Sequence, residues 1–309
     1  MKPDEQWPNA GILLPARDYD LAATLNSGQV FRWQKYGDFW IGVVGNKRVR
    51  LRQKGDGIVA ETDAGIKDWD WIQEYLQTNI DLQKILETFP DDEPMNRAVT
   101  ACHGLRILRQ EPWECLASFI LSATKQIVQI RQIVARLCDR FGEEISNSNF
   151  AVLEPHVSAN GSNSDSSQMF NDLSRAFPSA EKIAGLTEKD LRDCRMGFRA
   201  PNLSAAARHI AEGKLELETL RHMSYQEARV ELMKLRGVGQ KIADCVLLFA
   251  YGFDSAFPVD VWVERALRTL YFPRRRVDEK KLLKFAATHF GPHAGYAQQY
   301  LFHYMRTCQ

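Results

Sequence analysis

The segment Leu235-Arg236-Gly237-Val238-Gly239-Gln240-Lys241-Ile242-Ala243-Asp244-Cys245 decides how this chain is read. A helix carrying Val230, Leu232 and Met233 ends at a Gly-x-Gly turn, and a second helix starts at once. Both glycines permit positive φ, and the turn leaves backbone N–H groups uncovered at a helix N-terminus. Such groups bind phosphate oxygens without reading sequence. Gly237, Val238, Gly239 and Gln240 are therefore expected to meet a phosphate backbone. A bare Gly-x-Gly between helices is more often an ordinary cap, but the Gly-Val-Gly-x-Lys spacing argues for more.

Lys241 falls in the first turn of the second helix, where the helix dipole disfavours a cation. If the site is also partly desolvated, a neutral, nucleophilic amine becomes available there. By position alone a solvated lysine is the commoner outcome. The next informative stretch is Phe257-Pro258-Val259-Asp260-Val261-Trp262. Pro258 keeps the approach extended, which makes Asp260 a natural N-cap for a helix running to Leu270. Placed across a cleft from Lys241, the same carboxylate could stabilise a cationic sugar and assist proton transfer.

Around these motifs the periodicity changes once. Gln29–Gln34, Phe39–Val44, Lys47–Gln53 and Gly57–Thr62 read as an antiparallel strand meander, and 68–78 as a short helix behind it. After Pro94 the spacing becomes helical: around Leu105/Leu108, then Trp113 to Ser122 and Ile127 to Phe141. Further helices fit 201–212, 224–234, 241–251, 261–270, 278–290 and 293–306. The expected fold class is α+β, with a β-rich domain at 1–95 and a larger all-helical domain at 96–309. A polar loop at about 155–168, Asn160-Gly161-Ser162-Asn163-Ser164-Asp165 at its centre, is expected to be flexible.

Residues 1–95 carry 11 Lys/Arg against 16 Asp/Glu, and residues 96–309 carry 29 against 23, so a polyanion would meet the second part. The six cysteines form no CxxC pair and read as reduced thiols rather than a disulfide frame or zinc site. The chain has no apolar run long enough for a membrane span and no secretory signal pattern.

Four further motifs complete a family pattern: Asn26-Ser27-Gly28-Gln29-Val30-Phe31-Arg32-Trp33, Leu108-Arg109-Gln110-Glu111-Pro112-Trp113-Glu114-Cys115, Gly197-Phe198-Arg199-Ala200, and Gly295-Tyr296-Ala297-Gln298-Gln299-Tyr300-Leu301-Phe302. With the hairpin and the Pro-Val-Asp element, the chain resembles the 8-oxoguanine DNA glycosylase family of the helix-hairpin-helix glycosylase superfamily, nearer its bacterial branch. The resemblance covers roughly 11–309. It implies a bifunctional glycosylase and abasic-site lyase, a monomer acting on duplex DNA that contains oxidised guanine. The expected compartment is the nucleoid in a bacterium or the nucleus in a eukaryote.

Residue by residue, the resemblance implies that Lys241 attacks the sugar C1′ and that Asp260 is the catalytic carboxylate. The target base must be extruded. Gly28 would read the lesion's N7 proton with its carbonyl, which guanine's own N7 acceptor would repel. Gln298 would meet the Watson–Crick edge, and Phe302 and Cys245 would flank the base. Phe198 would fill the vacated stack, and Arg199 would reach the opposite base. No cofactor is required. A monovalent cation or calcium could rest on the carbonyls of Met233, Leu235 and Val238. Thr124 stands where the family carries an asparagine and Gln129 where it carries an arginine. Losing that arginine removes a charged donor fork suited to cytosine, so weaker discrimination for cytosine opposite the lesion is expected. Trp262 replaces the histidine of several members.

Two rivals remain: a superfamily glycosylase for another damaged purine, and a non-catalytic helix-hairpin-helix DNA-binding protein. An iron–sulfur relative needs a C-terminal cysteine cluster, and Cys308 alone cannot supply it. The binding-only reading leaves Lys241, Asp260, Gly28 and Gln298 without a joint purpose.

Overall fold

The computed structural model describes residues 11–62, 66, 68–145 and 172–308; the polar loop expected at 155–168 lies outside them. Five strands form one antiparallel sheet in the order β1-β5-β4-β3-β2: β1 Gly11–Pro15, β2 Trp33–Tyr36, β3 Phe39–Val44, β4 Lys47–Lys54 and β5 Gly57–Thr62. Helices α1 (Leu21–Asn26) and α2 (Asp70–Leu76) accompany the sheet, followed by α3 (Leu82–Leu86) and α4 (Glu93–Ala101). The strand alternation works as the period-2 rule requires: Val49, Leu51, Ile58 and Ala60 pack with Ile72 and Leu76 of α2 in one core. Trp33 is buried there and donates its indole N–H to the Tyr75 hydroxyl at 2.7 Å.

The helical part comprises α5 (Pro112–Ser122), α6 (Ile127–Phe141), α7 (Ala180–Ala184), α8 (Glu188–Asp193), α9 (Ala200–Ala211), α10 (Tyr225–Met233), α11 (Gln240–Val246), α12 (Val261–Ala266), α13 (Glu279–His289) and α14 (Ala294–Thr307). Most helix starts are side-chain capped: Glu111 accepts from the Trp113 and Glu114 amides at 2.9 and 2.6 Å, and Ser224 and Glu227 make a reciprocal box. Two helices widen into π turns at their C-terminal ends, α11 over Leu247–Tyr251 and α12 over Leu267–Tyr271. These are the helices that carry Lys241 and Asp260, and π turns recur beside functional sites.

Two expectations are corrected. Gln29–Gln34 is not one strand; only its last two residues enter β2. The segment's alternation reflects burial on two sides, because Val30 joins the sheet core and Phe31 joins the helical core, edge-on to Phe119 at 5.7 Å. Leu105–Leu108 is not helical either. Its amides are satisfied by distant groups: Arg106 N–H donates to Thr24 Oγ1 at 3.0 Å, and Leu108 N–H to Gln29 Oε1 at 2.8 Å. Strand β1 and helix α1 have no counterpart among the expected elements. No described helix is long and apolar enough to cross a membrane, and the six cysteines are unpaired.

Candidate active site

The hairpin is α10, a turn, and α11. Lys234 caps α10, and Gly237 takes φ +81, the left-handed turn expected of it. Gly239 does not: it is the extended N-cap of α11, at φ −96 and ψ −177. Its use is openness, since a Cβ there would meet nothing within 4 Å, whereas one on Gly237 would stand 2.3 Å from Asn202 Nδ2 of α9. Gly239 and Gln240 are exposed and Val238 is buried, so the uncovered amides at the start of α11 face outward from an anchored turn. Beneath it, buried Asp244 of α11 accepts from the Tyr225 hydroxyl at 2.7 Å and pairs with Arg229 at 3.0 Å, both on α10. This clamp sets the two helices against each other, and the sequence reading did not single it out.

Met233 is exposed, Leu235 and Val238 are buried, and the Leu235 carbonyl accepts the Val238 amide at 3.1 Å. No cluster of His, Cys, Asp or Glu suited to a metal occurs among the described residues. Carbonyl oxygens such as those of the hairpin turn suit hard cations.

Lys241 is half-buried and donates to Ser122 Oγ at 3.3 Å, with its Nζ 5.4 Å from the centroid of Phe119. Ser122 gives its own hydrogen to the Phe119 carbonyl at 2.7 Å, so toward Lys241 it only accepts. Asp260 is the N-cap of α12, and its Oδ1 receives the Trp262 and Val263 amides at 3.0 and 2.8 Å. Burial pushes the Asp260 carboxyl above the ordinary 3.8, opposed by the Val263 amide, by Lys241, by the Trp262 amide and by Arg306. Cys245, one turn after Lys241, is buried, and its thiol is pushed up to about 12 by that burial, with Lys241 lowering it and Asp260 raising it. Lys241, Asp260 and Cys245 thus share one electrostatic site.

Of the residues expected to hold the base, Gly28 and Phe302 lie side by side. Gly28 has φ +80, and a Cβ there would be 2.6 Å from Ile127 Cδ1 and 3.2 Å from Phe302 Cε1. Only glycine fits both the conformation and the space. A buried amide network fixes this loop. Gln29 Nε2 donates to Thr24 O, Ser27 Oγ and Arg106 O at 3.2, 2.9 and 2.8 Å; Gln110 donates to Gln29 O at 2.9 Å, and Gln299 to Ser27 O at 3.0 Å. Gln29, Gln110 and Gln299 sit inside motifs quoted from the sequence, yet no local pattern marks them as supports. Gln298 is buried, and its Oε1 accepts no hydrogen bond among the described residues. Such an orphaned acceptor is costly unless a ligand uses it.

Of the residues expected at the opposite base, Phe198, Arg199 and Thr124 are grouped. Phe198 is 58% exposed, which suits a wedge. Arg199 is buried and stacks on Phe198 at 4.2 Å. Its donors are already engaged: Nε meets the Ala123 carbonyl at 2.7 Å and Nη1 the Met196 carbonyl at 3.2 Å, while Nη2 reaches Ala123 O and, at 2.6 Å, Thr124 Oγ1. Thr124 is held at φ +55. Gln129 uses its Oε1 to cap α6, accepting the Gln126 amide at 3.2 Å.

Residues 11–116 match the 8-oxoguanine DNA glycosylase N-terminal domain, and residues 117–290 match the HhH-GPD superfamily of base excision DNA repair proteins. The chain is 30% identical to a probable N-glycosylase/DNA lyase of Methanothermobacter thermautotrophicus, over 95% of each chain. It is 28% identical to the N-glycosylase/DNA lyase of Saccharomyces cerevisiae, over 91% of this chain and 82% of that one. Its fold is similar to that of the Clostridium acetobutylicum 8-oxoguanine glycosylase/lyase bound to DNA with cytosine opposite 8-oxoguanine, at TM-score 0.81 and 32% identity over 94% and 92% of the two chains. The chain belongs to the 8-oxoguanine DNA glycosylase family, within the HhH-GPD superfamily of base excision repair proteins.

Proposed function

We propose that this base-excision glycosylase and lyase removes 8-oxoguanine from duplex DNA through a Schiff base on Lys241. The observation that carries this reading is the site shared by Lys241, Asp260 and Cys245, in which Asp260 also feels Arg306, the neighbour of Gly28. Phosphates flanking the target rest on the open amides of Gly239 and Gln240. Phe198 enters the stack, and the damaged nucleotide turns out of it. A purine fits beside Gly28 once Ile127 and Phe302 move aside, and the Gly28 carbonyl then accepts the N7 proton that guanine lacks. Gln298 supplies its free Oε1 to the Watson–Crick edge.

Lys241 attacks C1′ as the bond to N9 breaks. Asp260, whose Oδ2 makes no hydrogen bond among the described residues, stabilises positive charge on the sugar and can carry protons between the amine and the departing groups. Ring opening gives the Schiff base, and loss of a C2′ proton expels the 3′ phosphate. A hard cation on the carbonyls of Met233, Leu235 and Val238 would strengthen phosphate binding at the hairpin.

The test is borohydride trapping on a duplex containing 8-oxoguanine. A covalent complex with the wild type that is absent in Lys241→Gln is expected. An undiminished complex in that variant refutes Lys241 as nucleophile. The engaged donors of Arg199 and the neutral Gln129 also support a relaxed preference for the base opposite the lesion. Excision from duplexes pairing it with C, A, G and T should vary little, and a steep preference for cytosine overturns this part.

A further inference from the structure

A cation that the proposed mechanism does not use lies beside Gly28. Arg306 is on α14, one turn beyond Phe302, with its guanidinium carbon 5.2 Å from the centroid of that ring. Its Nη1 is buried, makes no hydrogen bond among the described residues, and stands 3.5 Å from where a Cβ on Gly28 would lie. A second guanidinium backs it. Arg131 is on α6, one turn after Ile127; its Nε is also buried without a partner, and its Nη2 makes only a long contact with Asn26 Oδ1 at 3.5 Å. The positive charge of Arg306 disfavours that of Arg131, and Asp260 is the acidic group whose field offsets Arg306. Two partly desolvated like charges with unmade donors are costly to hold together. They are stabilised when negative charge arrives between or beside them.

We propose that Arg306, supported by Arg131, donates to the carbonyl edge of the damaged purine and stabilises the charge this purine carries as it leaves. The inference rests on the 8-oxoguanine reading above. When the C1′–N9 bond breaks, its electron pair departs on the purine and spreads over N9 and the C8 carbonyl. The Lys241 nitrogen forms the new bond to C1′ and releases one proton, which the purine takes up, so the balance closes without another reactant. The Gly28 carbonyl faces N7, and C8 is the next ring atom, so a donor beside Gly28 falls on the edge where charge develops. Donors fixed at such a position stabilise the transition state more than the ground state.

The experiment separates two steps of one protein. Single-turnover release of 8-oxoguanine from duplex is compared with cleavage of a duplex carrying a preformed abasic site, where no base departs. In Arg306→Gln the ratio of excision to abasic cleavage should fall roughly ten- to a hundredfold, the loss of one charged hydrogen bond. Arg306→Lys should recover part of it, and Arg131→Gln should lower the ratio less. An unchanged ratio overturns the proposal, including the case in which both rates fall together, as a structural or phosphate-binding arginine would require. Wild-type protein that cleaves abasic duplex but releases no 8-oxoguanine removes the lesion reading and this proposal with it. Wild-type excision with an unimpaired Arg306→Gln removes this proposal alone.

Discussion

Thr124→Asn should make this protein more stable. Thr124 is exposed, lies at φ +55 in the turn between α5 and α6, and is β-branched. The left-handed region costs an L-residue about 1–2 kcal/mol, least for glycine and asparagine, and a β-branched side chain suffers most there. Against this, Thr124 Oγ1 accepts from Arg199 Nη2 at 2.6 Å, a bond to a charged donor. Asparagine keeps an acceptor oxygen, so that bond is retained and the strain relief of about 1 kcal/mol remains as the net gain. In a chain of this size such a gain raises Tm by about 2 °C. The assay is urea or thermal unfolding of both proteins, with the slope against denaturant checked for equality so that the midpoints are comparable. A midpoint that is unchanged or lower refutes the argument, since the backbone at 124 would then not be strained or the Arg199 bond would depend on the threonine hydroxyl.

Other outcomes follow from the same geometry. Asp260→Asn should abolish most excision while leaving Tm equal or higher, because asparagine caps a helix about as well and removes a charge that burial disfavours; an unfolded variant counts against this. The sign is fixed by the raised carboxyl: the folded protein holds that proton more tightly, so this group's contribution to stability falls as pH rises through its folded value. Activity should accordingly collapse on acidification at a pH above the ordinary aspartate value of 3.8, and a titration showing full activity down to that pH contradicts it. Asp244→Ala leaves Tyr225 and Arg229 without their partner and should cost about 3 kcal/mol and weaken binding to undamaged duplex, measured by unfolding and by fluorescence anisotropy. Gln29→Leu orphans the Leu108 amide and the Arg106 carbonyl, and should lower stability by about 2 kcal/mol or more and reduce the preference for 8-oxoguanine over guanine in a competition assay.

The division between sequence and structure has a physical basis. Periodicity located β3 to β5 and nearly every long helix, because one-sided burial imposes a regular apolar pattern on a strand or helix. The hairpin was legible because Gly237 must take a positive φ and Lys241 must start a helix. Both are local requirements written into adjacent residues. The irregular segments 29–32 and 105–108 were misread, since buried polar groups in them bond to partners some 80 positions away, the Leu108 amide to Gln29 Oε1 and the Arg106 amide to Thr24 Oγ1, and no local pattern encodes such a bond. The same holds for function. Residue types and family motifs identified Lys241, Asp260, Gly28 and Gln298 one at a time. Only the tertiary structure put Arg306 beside Gly28, left the Gln298 oxygen without a partner, and spent the donors of Arg199 on Ala123 and Thr124. A side chain's hydrogen-bond partners depend on which distant surfaces packing brings together, and that is decided after the chain has folded.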